Sequence, residues 1–296
     1  MLAVFRRELA AYFLSPIGYI FMGFFLLLVG LLFAVQNIFA GSPVYTQIFG
    51  TMVFLSNLTI PILTMRLFTE ERRMRTDQLL LTVPLSLSGI VFGKYLAAVS
   101  VFVLTLLVTV LYPIALSFFT SFFGLAGWEI VGNYVGFFFL GCTFIAVGMF
   151  VSSLTENQVI AAVVTLGALL LTQLISFVLQ FIPADLLAGV IFLGVLDLGI
   201  AALVYVATKG EKKLGNFLLS GAVFVIGALI VAGAYLIDNE IIDAIIIKMI
   251  AWLSLIDRFE PFGRGVLSLS SIVYYLSFVT LFVYLTVRMI EKKRWI

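Results

Sequence analysis

Long apolar runs separated by short polar stretches dominate this chain, and eight of them are long enough to cross a membrane as helices, which takes about 20 residues. They cover roughly residues 17–39, 47–65, 90–118, 129–151, 158–181, 186–208, 215–237 and 270–289. The pattern predicts an all-α polytopic membrane protein forming a single transmembrane domain over residues 1–296. Ahead of the first run, Leu2, Phe5, Leu9, Tyr12 and Phe13 recur at helical spacing, with Arg6 and Arg7 off that stripe. This predicts an interfacial helix over residues 1–16 with its basic residues toward anionic lipid, broken at Ser15 and Pro16.

The longest charged interruption runs from Thr64 to Lys94. Its first half, Arg66 to Thr82, reads as a helix carrying Glu70, Glu71, Arg72, Arg73, Arg75 and Asp77, with Glu71 placed four residues before Arg75 for a helical ion pair. Pro84 ends the helix, and Ser86, Ser88 and Gly89 make a turn before the next run opens at Ile90. A short amphipathic helix at a membrane surface fits this stretch; an ordinary solvated loop is the alternative.

Composition narrows the function. Of the 296 residues, 63% are hydrophobic and 11% charged, with a mean hydropathy of +1.23; such a chain cannot bury its apolar surface in a water-soluble globule. Thirty phenylalanines, no histidine and the single Cys142 leave no usual ligand set for zinc, haem or iron–sulfur centres, and no intramolecular disulfide. No metal or cofactor is expected. The run from Ile17 to Phe39 is too long for a signal-peptide core and is expected to stay as an anchor. If the N-terminus lies inside, every lysine and arginine except Lys248, Arg258 and Arg264 falls on the inner side, as the bias of basic residues toward cytoplasmic loops requires. Both termini are therefore expected in the cytoplasm, with the chain in the plasma membrane. No phosphate-binding GxxxxGK[ST] loop occurs, since GEKKLGN lacks both the spacing and the hydroxyl residue after lysine. The chain is not expected to be an enzyme or to hydrolyse ATP alone, and no nucleic-acid partner is expected.

Three segments together carry a resemblance: FRRELAAYFLSPIGYIF near the N-terminus, EERRMRTDQLLLTVPLSLSGIVFGKYLAA in the centre and DRFEPFGRGVLSLSSIVYYLSFVTLF late in the chain. They resemble the permease subunit of a type-2 ABC transporter, in the branch similar to gliding-motility permeases, over essentially the whole length. Glu70, Glu71, Thr76, Leu79, Leu80, Leu81, Pro84, Gly93 and Lys94 match the family's central pattern, whereas Arg75 replaces a glycine and Gln78 stands where a later acid often lies. The resemblance implies a connecting helix first, then a coupling helix over residues 66–89 that docks on a separate ATP-binding cassette ATPase, then an outer segment before the last span. It implies that Phe68, Glu70, Glu71, Arg72, Arg73, Met74, Arg75, Thr76 and Asp77 form the coupling surface. It also implies a second permease copy, the same chain or a paralogue, and export more often than import.

Two features depart from the six spans common in that family. Residues 186–237 read as an inserted hairpin, either packing on the outside of the bundle or shaping the substrate route or holding another, extracytoplasmic, subunit. Residues 238–269 are apolar only in part, with Glu240, Asp243 and Lys248 opposite Ile245, Met249 and Trp252 on a helical wheel, which argues an outer interfacial or re-entrant helix. Asp197 is the one ionisable residue placed near mid-span. It is expected to be protonated and hydrogen-bonded to a neighbouring helix, the alternative being a substrate or proton path. An ion-gradient transporter or channel would need several such groups; a membrane anchor for an extracytoplasmic machine is the remaining alternative.

Overall fold

The computed structural model describes residues 1–42, 44–74, 86–118, 127–181 and 254–294. They are helical almost throughout, because a helix satisfies its own backbone polar groups in a medium that offers no water. Helix α1 (Leu2–Leu14) stops where Ser15 turns extended, and Pro16 opens α2 (Pro16–Phe33) at its first position, where the missing N–H costs nothing. A π-helical turn, Ala34–Phe39, prolongs α2 to a 24-residue apolar helix. Next come α3 (Gln47–Thr64), α4 (Arg66–Arg73), α5 (Leu87–Thr109), α6 (Leu111–Ser117), α7 (Gly127–Leu154), α8 (Gln158–Phe181), the short α9 (Glu260–Gly263) and α10 (Leu269–Arg294).

Among the described residues, five stretches are long and apolar enough to cross a membrane: Pro16–Phe39, Gln47–Arg73, Leu87–Ser117, Gly127–Leu154 and Leu269–Lys292. Four of them end within about three residues of a run read from the sequence, whereas Gln47–Arg73 continues well past the run read at 47–65. The run at 158–181 is also helical, whereas the runs at 186–208 and 215–237, the hairpin they make and Asp197 lie outside the described residues. So do Arg75, Thr76 and Asp77, and residues 238–253 of the outer segment.

Two boundaries differ from expectation. No loop separates the second span from the charged stretch: the helical run passes from α3 through a single turn residue, Met65, into α4. Pro61, with no N–H to give, sits one turn before that change. The third span opens at Leu87 rather than Ile90, because the Ser86 hydroxyl accepts the Gly89 N–H at 3.3 Å and caps the helix, so Ser88 and Gly89 belong to its first turn.

The chain divides into two compact units, Met1–Leu171 with Arg258–Ile296, and Thr172–Asp257. In the second, the described part is the end of α8 and a turn in which Ser254 Oγ accepts the Asp257 N–H. In the first, α7 is the hub, packed against α3, α4, α5, α9 and α10. Glycines on α7 permit the close approach: a Cβ at Gly141 would enter the Phe102 ring of α5, and one at Gly148 would enter Thr64 of α3. Phe25, Phe49 and Phe102 surround Phe137 of α7. Toward the other end of α7, Phe262 of α9 lies over Gly132 and Gly136, which holds the α9 turn against the bundle.

Candidate functional site

Helix α4 has a buried root and an exposed tip. Leu67, Phe68 and Thr69 are buried, whereas Arg73 and Met74 are exposed. The N–H groups of a first helical turn have no partner within the helix, and the Met65 side chain makes no cap. Ser152 near the end of α7 fills this gap: its Oγ accepts the Phe68 N–H at 3.1 Å and donates to the Met65 carbonyl at 3.2 Å. One side chain thus pins the junction between α3 and α4 to the central helix.

Four charges close a ring beside that root. Lys94 Nζ lies 3.1 Å from Glu8 Oε1 and 3.0 Å from Glu71 Oε1. Arg7 Nη2 reaches the same two oxygens at 2.8 and 2.9 Å. The side chains of Lys94, Glu8, Glu71 and Arg7 are 1%, 14%, 17% and 58% exposed, so the ring runs from a dry interior to its surface. A buried ammonium persists only when paired and hydrogen-bonded. Two carboxylates, with the Phe68 ring 5.3 Å from Nζ, meet that need. Burial works to raise the Glu8 carboxyl pKa, but Lys94 and Arg7 outweigh it and hold the group below its ordinary value.

Sequence explains how α1 comes so near. A Cβ on Gly93 would stand 3.1 Å from both the Met1 carbonyl oxygen and Val4 Cβ, so glycine there makes a flat seat for α1 on α5, and Lys94 next to it supplies the charge beneath. The inward stripe of α1 is Val4, Glu8 and Tyr12, at successive four-residue steps, of which Val4 and Tyr12 are buried. A second tie lies at the other end of α1. Tyr12 OH donates to the Leu63 carbonyl at 2.9 Å, and Arg66 bonds Ser15 Oγ and Glu70.

Several predicted residues therefore take unpredicted places. Phe68 packs under Lys94 instead of offering an apolar contact at the surface. Glu71 is held by Arg7 and Lys94, while the Arg75 expected to pair with it lies outside the described residues. Arg7, expected to face lipid, bonds the two carboxylates. Glu70 pairs with Arg66 one turn back. Arg72 and Arg73 line a polar cleft of about 570 Å³ with Glu156 and Asn157 from the connection between α7 and α8 and Gln158 and Val159 from the start of α8. Sequence reasoning missed Glu8, Ser152 and that connection. An acid isolated in an apolar N-terminal helix and a lysine at the mouth of an apolar run were the available signals.

None of these groups forms an arrangement for bond-making chemistry; the site is a joint, tying a surface helix and a charged helix to the ends of three spans. The family model for ABC-2 family transporter proteins matches residues 22–287. That range takes in α4, Lys94, Ser152 and most of every described span, and leaves α1 ahead of it. No curated protein matches the sequence. A match across nearly all of a chain built from long apolar helices identifies the protein's family as well as its class: it belongs to the ABC-2 family transporter proteins, as a multi-pass membrane permease.

Proposed function

We propose that the chain is the membrane-spanning subunit of an exporter in the plasma membrane, working with a second permease copy and powered by a separate ATP-binding cassette ATPase. In this reading the N-terminus is cytoplasmic, and the ATPase docks on the tip of α4 and the residues after it. The coupling surface is then Glu70, Arg72, Arg73 and Met74, continued by Arg75, Thr76 and Asp77, while Phe68 and Glu71 hold the helix from beneath. The observation that carries the reading is the division of α4 itself. A helix fixed at its root to α1, α5 and α7 and exposed at its tip can pass an applied force into the bundle. A loosely held solvated loop could not.

Purification in mild detergent, followed by mass spectrometry of the co-eluting proteins, tests it. An ABC ATPase should co-elute with the chain. Reversing tip charges with Glu70→Lys and Arg73→Glu should lower its yield on the order of ten-fold, as loss of central interface contacts does, while the permease itself stays monodisperse. Absence of any ATPase from the intact complex, or an unchanged yield from the tip variant, would overturn the reading.

A further inference from the structure

We propose that Lys94 is a positioning residue that makes α1 and α4 one mechanical piece, acting through the carboxylates of Glu8 and Glu71. The inference rests on the reading above for the source of the push and adds what the push moves: the N-terminal helix travels with the coupling helix.

Three observations carry it. First, the ring is neutral and shared: Oε1 of Glu8 and Oε1 of Glu71 each meet both Lys94 and Arg7, so the same two cations serve acids on two helices. Without Lys94, the buried cation that both carboxylates share is lost, and of the ring's cations there remains Arg7, whose side chain is mostly in solvent. Second, Lys94 belongs to neither helix it joins, and it is fully buried in α5, so it is the fixed point of the joint. Third, the two ties on α1 lie at separate places along it. Tyr12 and Ser15 hold the end next to the break at Pro16, and Arg7 and Glu8 hold a point about 10 Å away at 1.5 Å per residue. Opening the ring would leave the N-terminal half of α1 resting on the packing of Met1 and Val4 against Gly93, while the Tyr12–Ser15 end keeps its hydrogen bonds, so α1 would pivot about that end.

That pivot is measurable. Spin labels at Arg6→Cys and Met74→Cys, both exposed positions, in a Cys142→Ser background report the free end of α1 against the tip of α4. Labels at Leu14→Cys and Met74→Cys report the held end; Leu14 is 88% exposed. In the purified permease, Lys94→Met should broaden the Arg6–Met74 distance distribution at least two-fold and leave the Leu14–Met74 distribution unchanged. In the complex with its co-purified ATPase, the Arg6–Met74 distance should be the same with and without ATP and vanadate. If Lys94→Met does not insert, Glu8→Gln, at the edge of the ring, makes the same comparison. Equal widths in variant and parent, broadening of both pairs together, or a parent distance that changes on trapping would overturn the inference. The measurement on the permease alone stands even if no ATPase co-purifies, so failure of the functional reading and failure of the joint are distinguishable.

Discussion

Glu70 and Glu71 are neighbours in sequence and opposites in environment. Glu70 pairs with Arg66 one turn away on a half-exposed face, an arrangement worth only about 0.3–0.5 kcal/mol. Glu71 neutralises a lysine with 1% of its side chain exposed, and breaking a buried pair by removing one partner costs about 3–5 kcal/mol. Placing a second cation there is worse. Glu71→Lys should therefore lower the thermal midpoint of the detergent-purified protein by several degrees and deplete the monodisperse fraction, whereas Glu70→Lys should match the parent within about a degree. Equal midpoints for the two variants would refute the buried ring. The sequence showed both acids and Lys94, and it marked the stretch as important. It did not show which acid turns inward, because the partner helix lies 64 residues earlier in the chain. Arg6 and Arg7 read together as one basic patch, yet adjacent helical residues point about 100° apart, and only Arg7 reaches the carboxylates.

At the scale of elements, apolar length locates most of the helices and says little about how they meet. The spans expected at 17–39 and 129–151 are found at Pro16–Phe39 and Gly127–Leu154, because in lipid a helix must continue until its backbone reaches polar surroundings. Which glycines face protein and which face lipid was not legible, since both kinds sit in equally apolar runs. The structure separates them. A Cβ at Gly23 on α2 would meet nothing within 4 Å, whereas one at Gly148 on α7 would overlap Thr64, immediately before the Met65 turn that Ser152 secures. Gly23→Ala should leave stability equal or raise it, by up to about 1 kcal/mol from helix propensity. Gly148→Ala should cost about 1–3 kcal/mol through overpacking and loosen the α4 root as well. Thermal unfolding in detergent compares the two, and a Gly148→Ala midpoint at or above that of Gly23→Ala would show that α3 and α7 are not in the close contact described.

For the whole molecule, the question is which end faces the cytoplasm. Arg66, Arg72 and Arg73 of α4, Lys94 near the start of α5 and the basic end of α10 gather at one end of the alternating helices, with Arg258 and Arg264 at the other. In the proposed reading the first end is inside, as an inward bias of lysine and arginine would have it. Single cysteines in a Cys142→Ser background make this checkable with a membrane-impermeant thiol reagent applied to intact cells. Cysteine at Arg264, an exposed residue in the turn after α9, should label from outside; cysteine at Met74 should label only after permeabilisation. The same experiment reaches the part of the chain beyond the described residues. If 186–237 is a hairpin that crosses twice, a cysteine at Lys212 should behave like Met74 and one at Glu240 like Arg264. External labelling of both would mean that the hairpin does not span and that the eight-span count is wrong. External labelling of Met74 with protection of Arg264 would invert the whole molecule and put the tip of α4 out of reach of any cytoplasmic ATPase.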